Sequence, residues 1–342
     1  MGKTLFFDST LRDGSHAVAH KLTADNISNY CREIDSVGMY VVIVGHGNGL
    51  GASTLQVGLS ALPDSKMLST ARANLKRTKL GAFLIPGFGT ISDNLSPALD
   101  LGVDLVCVAC HCTEADVTAQ HIEYVRKRGK EAYGVLMMQH MASKEKLLDM
   151  AKKMQSYGAL GVILMDSAGS SDPKTVEDTV GYLSKNLDIM VGFHAHNNLG
   201  LAVANSLTAI NAGAGIIDGT TRGFGAGAGN CQLEALIGLL KKTGVKTDID
   251  MYKLMDVSDQ IVAKMMLRPQ VIDSVSLISG IAGVFSGFSG PVKKAAERFK
   301  VDPRDIFLEL GKRKMVAGQE DFIVDVALDL AKKKAKDQGL SF

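Results

Sequence analysis

Residues 190–218 read MVGFHAHNNLGLAVANSLTAINAGAGIID and contain a complete strand–helix–strand unit. The unit begins with the apolar run Met190 to His194, continues through a polar loop and a helical pattern, and ends in a second apolar run, Gly215 to Asp218. Both runs are continuously apolar rather than alternating, which is typical of strands buried on both faces of a parallel sheet. The unit therefore predicts an α/β fold.

The same pattern recurs along the rest of the chain. The apolar runs are Thr4 to Asp8, Tyr40 to Val44, Leu80 to Ile85, Asp104 to Ala109, Ala132 to Met138, Gly161 to Asp166, Met190 to His194 and Gly215 to Asp218. Each run is followed by a polar or glycine-bearing loop and a helical pattern. Eight such units in order predict a (β/α)₈ TIM barrel.

The strand pattern fades after about residue 245, and the rest of the chain has helical periodicity. Helices are predicted at 251–267, 290–300, 303–313 and 321–337. A length of 342 residues suits a barrel of about 250 residues with a smaller appended region. We therefore expect a barrel over 1–247 and a helical C-terminal extension over 248–342, which packs on the barrel or docks a partner.

Several helix starts are marked by residues that favour the N-cap position. Such residues have short polar side chains that accept a hydrogen bond from the first turn of a helix. The predicted caps are Thr23, Thr113, Ser143 and Asp172, the last of which is followed by Pro173.

Composition narrows the class of partner and the location. The 38 Lys plus Arg and 36 Asp plus Glu leave a net charge of +2, which is far from a polyanion-binding profile, so nucleic acid is not expected as a partner. No apolar run approaches the roughly 18 residues of a membrane span, and the first residues do not resemble a signal peptide. Five cysteines, three of them at 107, 110 and 112, make a poor disulfide framework. A cytoplasmic location is expected.

The first strand runs into a loop that is dense in reactive groups. Residues 8–16 read DSTLRDGSH and bring together the carboxylates of Asp8 and Asp13, the guanidinium of Arg12 and the imidazole of His16. In TIM barrels the active site lies at the carboxyl ends of the strands. This loop is therefore the first candidate for a catalytic site.

The seventh strand ends in a pair of histidines. Side chains alternate along a strand, so His194 and His196 point the same way. Two imidazole nitrogens and one carboxylate oxygen form a common open site for a catalytic divalent metal. Asp13 can reach the pair because alternate strands share an interior layer. A buried, hydrogen-bonded histidine pair without metal is the alternative.

Schiff-base chemistry would require a lysine at the carboxyl end of a strand. No lysine occupies such a position in the predicted barrel, since Lys79 lies at the amino end of the third strand. This pattern favours a metal ion over an iminium as the electron sink.

Two further motifs have alternative interpretations. The glycine-rich segment 219–230 follows the eighth strand, where barrels often bind phosphate, but such glycines also simply permit tight turns. The run Cys107-x-x-Cys110-His111-Cys112 contains soft metal ligands, yet Cys107 lies inside a strand and no second cysteine pair completes a tetrahedron. A structural role is favoured for the cysteines.

Together these motifs resemble the DRE-TIM metallolyases. The superfamily resemblance lies in residues 8–14 (DSTLRDG), the run from His194 to Asn205 and the loop from Gly223 to Asn230. Within the superfamily the sequence is most similar to the 4-hydroxy-2-oxovalerate aldolases, over about residues 4–330. The marks are Gly14-Ser-His16, His46-Gly-Asn-Gly-Leu50, Pro86-Gly-Phe-Gly-Thr90, His111-Cys-Thr-Glu-Ala-Asp116 and the run from Met315 to Leu328.

The resemblance implies roles for particular residues. Asp13, His194 and His196 would bind a divalent metal, most simply Mn²⁺. Arg12 would stabilise the enolate oxygen of pyruvate, and His16 would act as general base on the C4 hydroxyl. The remaining implied positions are Ser167 and Phe285, which with Arg12 would contact the substrate, and Asn230, which would support the metal ligands.

The resemblance also implies an activity and a partner. The activity is class II retro-aldol cleavage of a 4-hydroxy-2-oxo acid, such as 4-hydroxy-2-oxovalerate, to pyruvate and an aldehyde. The partner is an acylating, NAD-dependent acetaldehyde dehydrogenase, for which the helical extension is the expected docking region. An oligomeric assembly is expected.

Two positions depart from the family pattern. Phe285 stands where family members carry a tyrosine, and Ala19 stands where an arginine is usual. The sequence leaves two alternative functions open. One is a Claisen-type synthase that joins an acyl-CoA to a 2-oxo acid, and the other is a catalytically impaired scaffold subunit of the dehydrogenase. The Ser15-His16 pair and the lack of a long regulatory domain argue against the first, and Phe285 is the feature that favours the second.

Overall fold

Eight parallel strands close into a barrel in the order in which they occur along the chain. The structure is a computed structural model that describes residues 4–316 and 318–337. The strands are β1 Leu5–Asp8, β2 Val41–Ile43, β3 Lys79–Leu84, β4 Leu105–His111, β5 Glu131–Met137, β6 Gly161–Asp166, β7 Met190–Ala195 and β8 Ile216–Gly219. The predicted (β/α)₈ TIM barrel is confirmed. Residues 1–3 of the predicted barrel and residues 317 and 338–342 of the predicted extension lie outside the described residues.

The strand boundaries agree closely with the apolar runs, and the largest difference is in β4. This strand continues to His111 instead of ending at Ala109, because Cys110 and His111 keep pairing with Leu136 and Met137 of β5. Closure is made by β1 and β8, which pair in parallel with Phe7 opposite Asp218. The carboxyl ends of β1, β7 and β8 therefore meet at one side of the barrel mouth.

Helices follow the strands and surround the barrel. They are α1 Gly14–Ala17, α2 Ala24–Ile34, α3 Asp64–Asn74, α4 Ser96–Asp100, α5 Ala119–Lys127, α6 Lys144–Ser156, α7 Pro173–Asn186, α8 Ala202–Asn211 and α9 Leu233–Lys242. The predicted caps Thr23, Ser143 and Asp172 are confirmed, because each side chain accepts a hydrogen bond from the first turn of its helix. The predicted cap Thr113 is wrong. Its hydroxyl bonds to His111 Nδ1 at 2.8 Å, and the following turn has no side-chain cap.

The C-terminal extension is helical, as predicted. Its helices are α10 Met251–Asp256, α11 Ala263–Met265, α12 Ser274–Ala282, α13 Ser289–Phe299, α14 Pro303–Lys312 and α15 Phe322–Asp337, with a π-helical turn at Val257–Val262 between α10 and α11. Helix α12 was not predicted, because its serine, valine, isoleucine and glycine residues have weak helix propensity. Among the helices of residues 4–316 and 318–337, none is long and apolar enough to cross a membrane.

One buried apolar cluster joins the barrel interior to the extension. It includes Met137 and Met165 at the carboxyl ends of β5 and β6, together with Phe285, Phe288 and Phe307 of the extension. Residues 251–265 instead pack with the helices that surround the barrel, through side chains such as Leu254 and Val262. The extension from α12 onward therefore lies against the barrel mouth.

The amino end of the barrel is filled by a polar cluster. Lys79 at the start of β3 forms an ion pair with Glu131 at the start of β5, and the Tyr40 hydroxyl donates to Glu131 Oε2 at 2.8 Å. The Tyr40 ring also stacks on Phe7, with 5.7 Å between ring centroids. Lys79 is thus at the amino end, as predicted, and far from the mouth.

Candidate active site

The side chains of Asp13, His194 and His196 converge at the barrel mouth. Asp13 lies in the turn after β1, His194 lies near the end of β7 and His196 directly follows that strand. Each offers one potential ligand atom, and these atoms all lie within 4.8 Å of one another. All three side chains are buried. Elsewhere in the described residues no further group of His, Cys, Asp and Glu converges in this way, so Cys107, Cys110 and Cys112 form no second such cluster.

The two histidines keep buried nitrogens without hydrogen-bond partners. His194 Nδ1 bonds to Asp218 Oδ2 at 2.8 Å, which leaves His194 Nε2 without a partner in the described part of the chain. His196 Nδ1 is likewise buried and unpartnered. Burial lowers the pKa of His196 to about 3, so this ring is neutral at physiological pH. A neutral imidazole that a carboxylate orients through its other nitrogen is the form in which histidine binds a metal.

The Asp13 carboxylate is held by donors from three directions. It accepts hydrogen bonds from Arg12 Nη1 at 3.0 Å, from the Ala226 amide at 3.2 Å and from Asn230 Nδ2 at 2.5 Å. Burial alone raises the pKa of Asp13, but Arg12 and the nearby imidazoles outweigh it and hold the pKa well below its usual range. Asp13 is therefore ionised.

The glycine-rich loop approaches this carboxylate closely. A Cβ atom at Gly225 would lie 2.5 Å from Asp13 Oδ2 and 2.2 Å from Asn230 Nδ2, so a larger residue does not fit there. Asn230 also pairs with His196 in an isolated antiparallel bridge. The loop thus closes over the Asp13 carboxylate and links it to the end of β7.

The charges of the site fit a divalent cation. Asp13 and Asp218 are buried carboxylates that face one buried guanidinium, that of Arg12. Asp8 is a third buried carboxylate, and its pKa is raised to about 6, mainly by burial and to a smaller extent by the charge of Asp218. A cation bound by one carboxylate oxygen and two imidazole nitrogens would relieve this excess, and the donor set suits a first-row divalent metal.

Arg12 points several donors into the same space. Its Nη1 also donates to the Gly47 carbonyl at 3.3 Å, and its Nη2 donates to Ser9 Oγ at 3.3 Å. The guanidinium carbon lies 4.6 Å from the centroid of the Phe83 ring. Arg12 Nε is buried and has no partner among the described residues. One donor thus remains available to a bound oxygen.

His16 lies beside Arg12 on the short helix α1. Its ring centroid is 4.9 Å from that of His20 and 6.5 Å from that of Phe285. A Cβ atom at Gly47 would lie 2.3 Å from His16 Nε2, so only glycine permits this approach of the chain. Burial lowers the pKa of His16 below its usual value, although Asp13 opposes the shift. The ring is therefore neutral and able to accept a proton.

A cavity of about 850 Å³ connects this region to the surface. His16, Phe224 and Phe285 line its inner part, and Lys21, Lys294 and Arg298 line the outer part. Phe285 lies on the turn that follows α12 and is 5% exposed. The aromatic ring, without a hydroxyl, thus forms part of the wall nearest to His16.

The position of Ser167 does not by itself indicate a contact with substrate. It follows β6 and is fully buried, and its hydroxyl accepts a hydrogen bond from the Met138 amide at 3.0 Å. Its carbonyl accepts one from the Ser286 amide at 3.0 Å, next to Phe285. The structure therefore brings Ser167 to the Phe285 turn, and a contact with substrate stays a prediction.

Several residues at the site were not predicted. Asp218 orients His194, and it stands at the carboxyl end of a predicted strand, so the strand-end rule could have found it. His20 and His46 stack with 3.7 Å between ring centroids behind His16. Asn198 bonds to three chain segments, and no spacing pattern in the sequence indicates those contacts.

The HMGL-like family model matches residues 3–261. With its closed barrel and this group of residues at the mouth, the chain therefore belongs to the HMGL-like class of proteins. A second family model, the DmpG-like communication domain, matches residues 270–332.

Two relatives give a narrower family assignment. It is 54% identical to the 4-hydroxy-2-oxovalerate aldolase of Spirochaeta aurantia, over 94% of this chain and 95% of that protein. It is 52% identical to the 4-hydroxy-2-oxovalerate aldolase of Pectobacterium atrosepticum, over 97% of this chain and 96% of that protein. The chain therefore belongs to the 4-hydroxy-2-oxovalerate aldolase family of the HMGL-like proteins, a family of carbon–carbon lyases. The resemblance stated from the sequence is confirmed.

Solved structures support the fold. The carboxyl transferase domain of Rhizobium etli pyruvate carboxylase superposes with a TM-score of 0.80 at 15% identity. The match covers 99% of this chain and 61% of that one. At this identity the likeness concerns the fold alone.

Proposed function

We propose that this chain catalyses the retro-aldol cleavage of a 4-hydroxy-2-oxo acid, such as 4-hydroxy-2-oxovalerate, to pyruvate and an aldehyde. The observation that carries the proposal is the set of unpartnered polar atoms at the mouth. His194 Nε2, His196 Nδ1 and Arg12 Nε are all buried without partners in the described residues, and the two histidines converge with the ionised Asp13 carboxylate. Leaving buried polar atoms unpaired is costly, so the site is built for a ligand that pairs them.

Asp13, His194 and His196 would hold a divalent cation, for which we propose Mn²⁺. When bound, such an ion supplies Lewis-acid stabilisation of negative charge on the oxygens of the 2-oxo acid. The Asp218 carboxylate fixes the His194 ring, and Asn230 fixes the Asp13 carboxylate. These contacts orient the donor atoms before any ion arrives.

Arg12 stabilises the enolate oxygen that forms when the C3–C4 bond breaks. Its other nitrogens are engaged by Asp13, Gly47 and Ser9, so the guanidinium is already oriented. A donor placed in advance where charge develops requires no reorganisation during the reaction.

His16 removes the proton of the C4 hydroxyl as general base. Its lowered pKa keeps the ring neutral near pH 7, as a base requires. When the C4–OH proton leaves, the C4 oxygen becomes the aldehyde oxygen, and the electron pair of the C3–C4 bond passes to the pyruvate enolate. Protonation of C3 then gives pyruvate.

Pyruvate release from 4-hydroxy-2-oxovalerate, followed with lactate dehydrogenase and NADH in the absence of CoA, tests this function. We expect turnover that disappears in EDTA and returns with Mn²⁺, and a comparison with Mg²⁺, Co²⁺ and Zn²⁺ tests the choice of ion. Thiol release from acetyl-CoA would instead support a Claisen-type synthase, which the aldolase relatives do not favour. A purified, metal-loaded chain without either activity would support the scaffold alternative.

We further propose that residues from α12 onward dock an acylating acetaldehyde dehydrogenase. Support comes from the match to the communication-domain model and from exposed apolar side chains in that region. Ile281 is 62% exposed, and Leu277, Leu308 and Val324 are each about 40% exposed. Exposed apolar side chains of this kind are typical of protein interfaces.

Co-elution of this chain with a purified acylating acetaldehyde dehydrogenase in size-exclusion chromatography tests the docking proposal. Ile281→Asp should weaken the complex, whereas Tyr252→Asp, at a 70% exposed site on α10, should not. If both variants co-eluted with the dehydrogenase to the same extent, the proposed surface would be contradicted. The oligomeric state, the cytoplasmic location and the 247/248 boundary stay predictions, which light scattering, cell fractionation and limited proteolysis test.

A further inference from the structure

The Asn198 side chain joins three chain segments around the barrel mouth. It lies two residues after His196 and is fully buried. Its Nδ2 donates to the Ala168 carbonyl at 2.9 Å and to Ser286 Oγ at 2.8 Å, and its Oδ1 accepts from the Ala228 amide at 3.0 Å. Both ends of the amide are therefore used, by atoms that are far apart in the sequence.

Each of these partners belongs to a different wall of the site. Ala168 follows β6, Ala228 lies in the glycine-rich loop that closes over Asp13, and Ser286 is the neighbour of Phe285. The Phe285 turn, defined here as residues 283–288, has two further bonds to the barrel. The Ser286 amide donates to the Ser167 carbonyl at 3.0 Å, and His140 Nε2 lies 3.0 Å from the Gly283 carbonyl.

We propose that Asn198 is a positioning residue that fixes the Phe285 turn relative to His196 and so sets the space available to the aldehyde half of the substrate. The inference rests on the proposed aldolase function, because it concerns that same cavity. It explains why a carboxamide stands here, since the contacts require two N–H donors and one acceptor on a single planar group. Packing around the amide is also tight, because a Cβ at Gly227 would lie 2.7 Å from Asn198 Oδ1.

Ser286→Ala tests the link between Asn198 and the Phe285 turn alone. It removes one hydroxyl and leaves the Asn198 bonds to Ala168 and Ala228 in place. We expect KM to rise more than kcat falls, and the preference for 4-hydroxy-2-oxovalerate over longer-chain 4-hydroxy-2-oxo acids to shift by about fivefold, the factor expected from one buried hydrogen bond. An equal fall in turnover for every chain length, or no change, would overturn the proposal.

Asn198→Ala removes all three bonds and should shift the same preference further, by about tenfold or more. Asn197→Ala is the matched control, because the Asn197 Oδ1 accepts one hydrogen bond, from the Ala202 amide at the start of α8. We expect the control to keep the wild-type preference. A control that shifts the preference as far as Asn198→Ala would show that the effect is not specific to position 198.

Hydrogen exchange measured by mass spectrometry gives a readout that needs no substrate. Peptides covering residues 283–288 should exchange about five to ten times faster in Ser286→Ala and Asn198→Ala than in wild type or Asn197→Ala. Unchanged exchange in both variants would overturn the positioning role. If wild type cleaves no 4-hydroxy-2-oxo acid but the exchange result holds, the proposed function fails while the link between Asn198 and the turn stands.

Discussion

Arg12 is bound to three neighbours through two of its nitrogens, so its contribution depends on the shape of the guanidinium as well as on its charge. Arg12→Lys keeps the charge but replaces the planar fork of five N–H donors with one ammonium group, which cannot reproduce the positions of the contacts with Asp13, Gly47 and a substrate oxygen. We expect kcat to fall by about 10² or more, as when one transition-state donor is removed. Steady-state kinetics with a fixed, saturating metal concentration measure this. Turnover near that of wild type would contradict the enolate role.

Phe285 offers the second test at the level of single residues. Phe285→Tyr introduces the hydroxyl that the family resemblance implies at this position, on a ring whose centroid is 6.5 Å from that of His16. We expect kcat/KM for 4-hydroxy-2-oxovalerate to rise by about fivefold if the hydroxyl makes one hydrogen bond to the substrate.

Phe288→Tyr is the matched control for this change. Phe288 packs edge-on against Phe285 and is fully buried, so its new hydroxyl would lack access to the cavity. We expect this control to lower the melting temperature without raising kcat/KM. No change in kcat/KM for Phe285→Tyr would mean that another donor serves in place of the tyrosine.

Single residues of the site were predictable where a simple geometric rule governs them. Asp13, His194 and His196 could be brought together from the strand-end rule and from side-chain alternation in β7. Asn198 and His20 could not, because their contacts depend on how loops from distant parts of the chain fold over one another. Ser167 lies next to the Phe285 turn, a relation that the spacing of the two residues does not reveal.

At the level of elements, the N-cap of α12 gives a pH-dependent prediction. Burial alone raises the pKa of Asp273, but the Ser276 amide and Lys293 outweigh it and lower the pKa to about 2. The carboxylate therefore stabilises the folded chain above its unfolded pKa of about 4, and this contribution is lost as the pH falls toward 2. Asp273→Ala should cost about 1 kcal/mol of unfolding free energy at pH 7.

Asp273→Asn separates the cap from the charge. The amide can still accept a hydrogen bond from the first turn of α12, but it does not titrate and forms no ion pair with Lys293. Chemical denaturation of both variants and wild type between pH 2.5 and pH 7 measures the effect. If Asp273→Ala lowered the unfolding free energy by the same amount at every pH in this range, the role of the carboxylate charge would be contradicted.

Most strands and helices were predictable from apolar runs and N-cap residues. The errors in β4 and α12 have physical causes. The β4 strand runs longer than predicted because pairing with β5 outweighs the polar character of His111. Helix α12 lacks helix-forming residues, and it forms because Asp273 caps it and its apolar side chains pack against α14. Both failures arise from contacts with other elements, which local sequence does not contain.

For the whole molecule, the buried charges predict that metal binding and stability are coupled. The buried nitrogens of His194 and His196 converge with the Asp13 carboxylate, and a cation that binds the folded chain alone stabilises it by about 2.7 kcal/mol at a hundredfold excess over Kd. Adding Mn²⁺ to EDTA-treated, dialysed protein should therefore raise the melting temperature in differential scanning calorimetry.

Asp13→Asn is the test of this coupling. It removes one ligand and a carboxylate that Arg12 and the Ala226 amide stabilise, so the metal-free variant should melt below metal-free wild type, and Mn²⁺ should no longer shift its melting temperature. Asp172→Asn, a change at an exposed N-cap, should keep the full metal shift. A persistent Mn²⁺ shift in Asp13→Asn would place the binding site elsewhere.

The overall architecture was the most predictable level. Strands buried on both faces leave continuous apolar runs, and eight of them alternating with helices permit few topologies. The position of the extension was not predictable, because its packing against the mouth depends on surfaces formed only after the barrel closes. The apolar cluster that joins Phe285 of the extension to Met137 and Met165 of the barrel is therefore known only from the structure.

The polar cluster of Tyr40, Lys79 and Glu131 at the amino end also bears on how products depart. It closes the amino end of the barrel. In the proposed mechanism the 2-oxo acid half of the substrate is held at Asp13 and the histidines, and the aldehyde half lies toward the open cavity beside His16 and Phe285. We therefore expect the aldehyde to depart first and pyruvate last. In a reaction with that sequence of release, pyruvate competes directly with the substrate for the free enzyme, whereas the aldehyde does not.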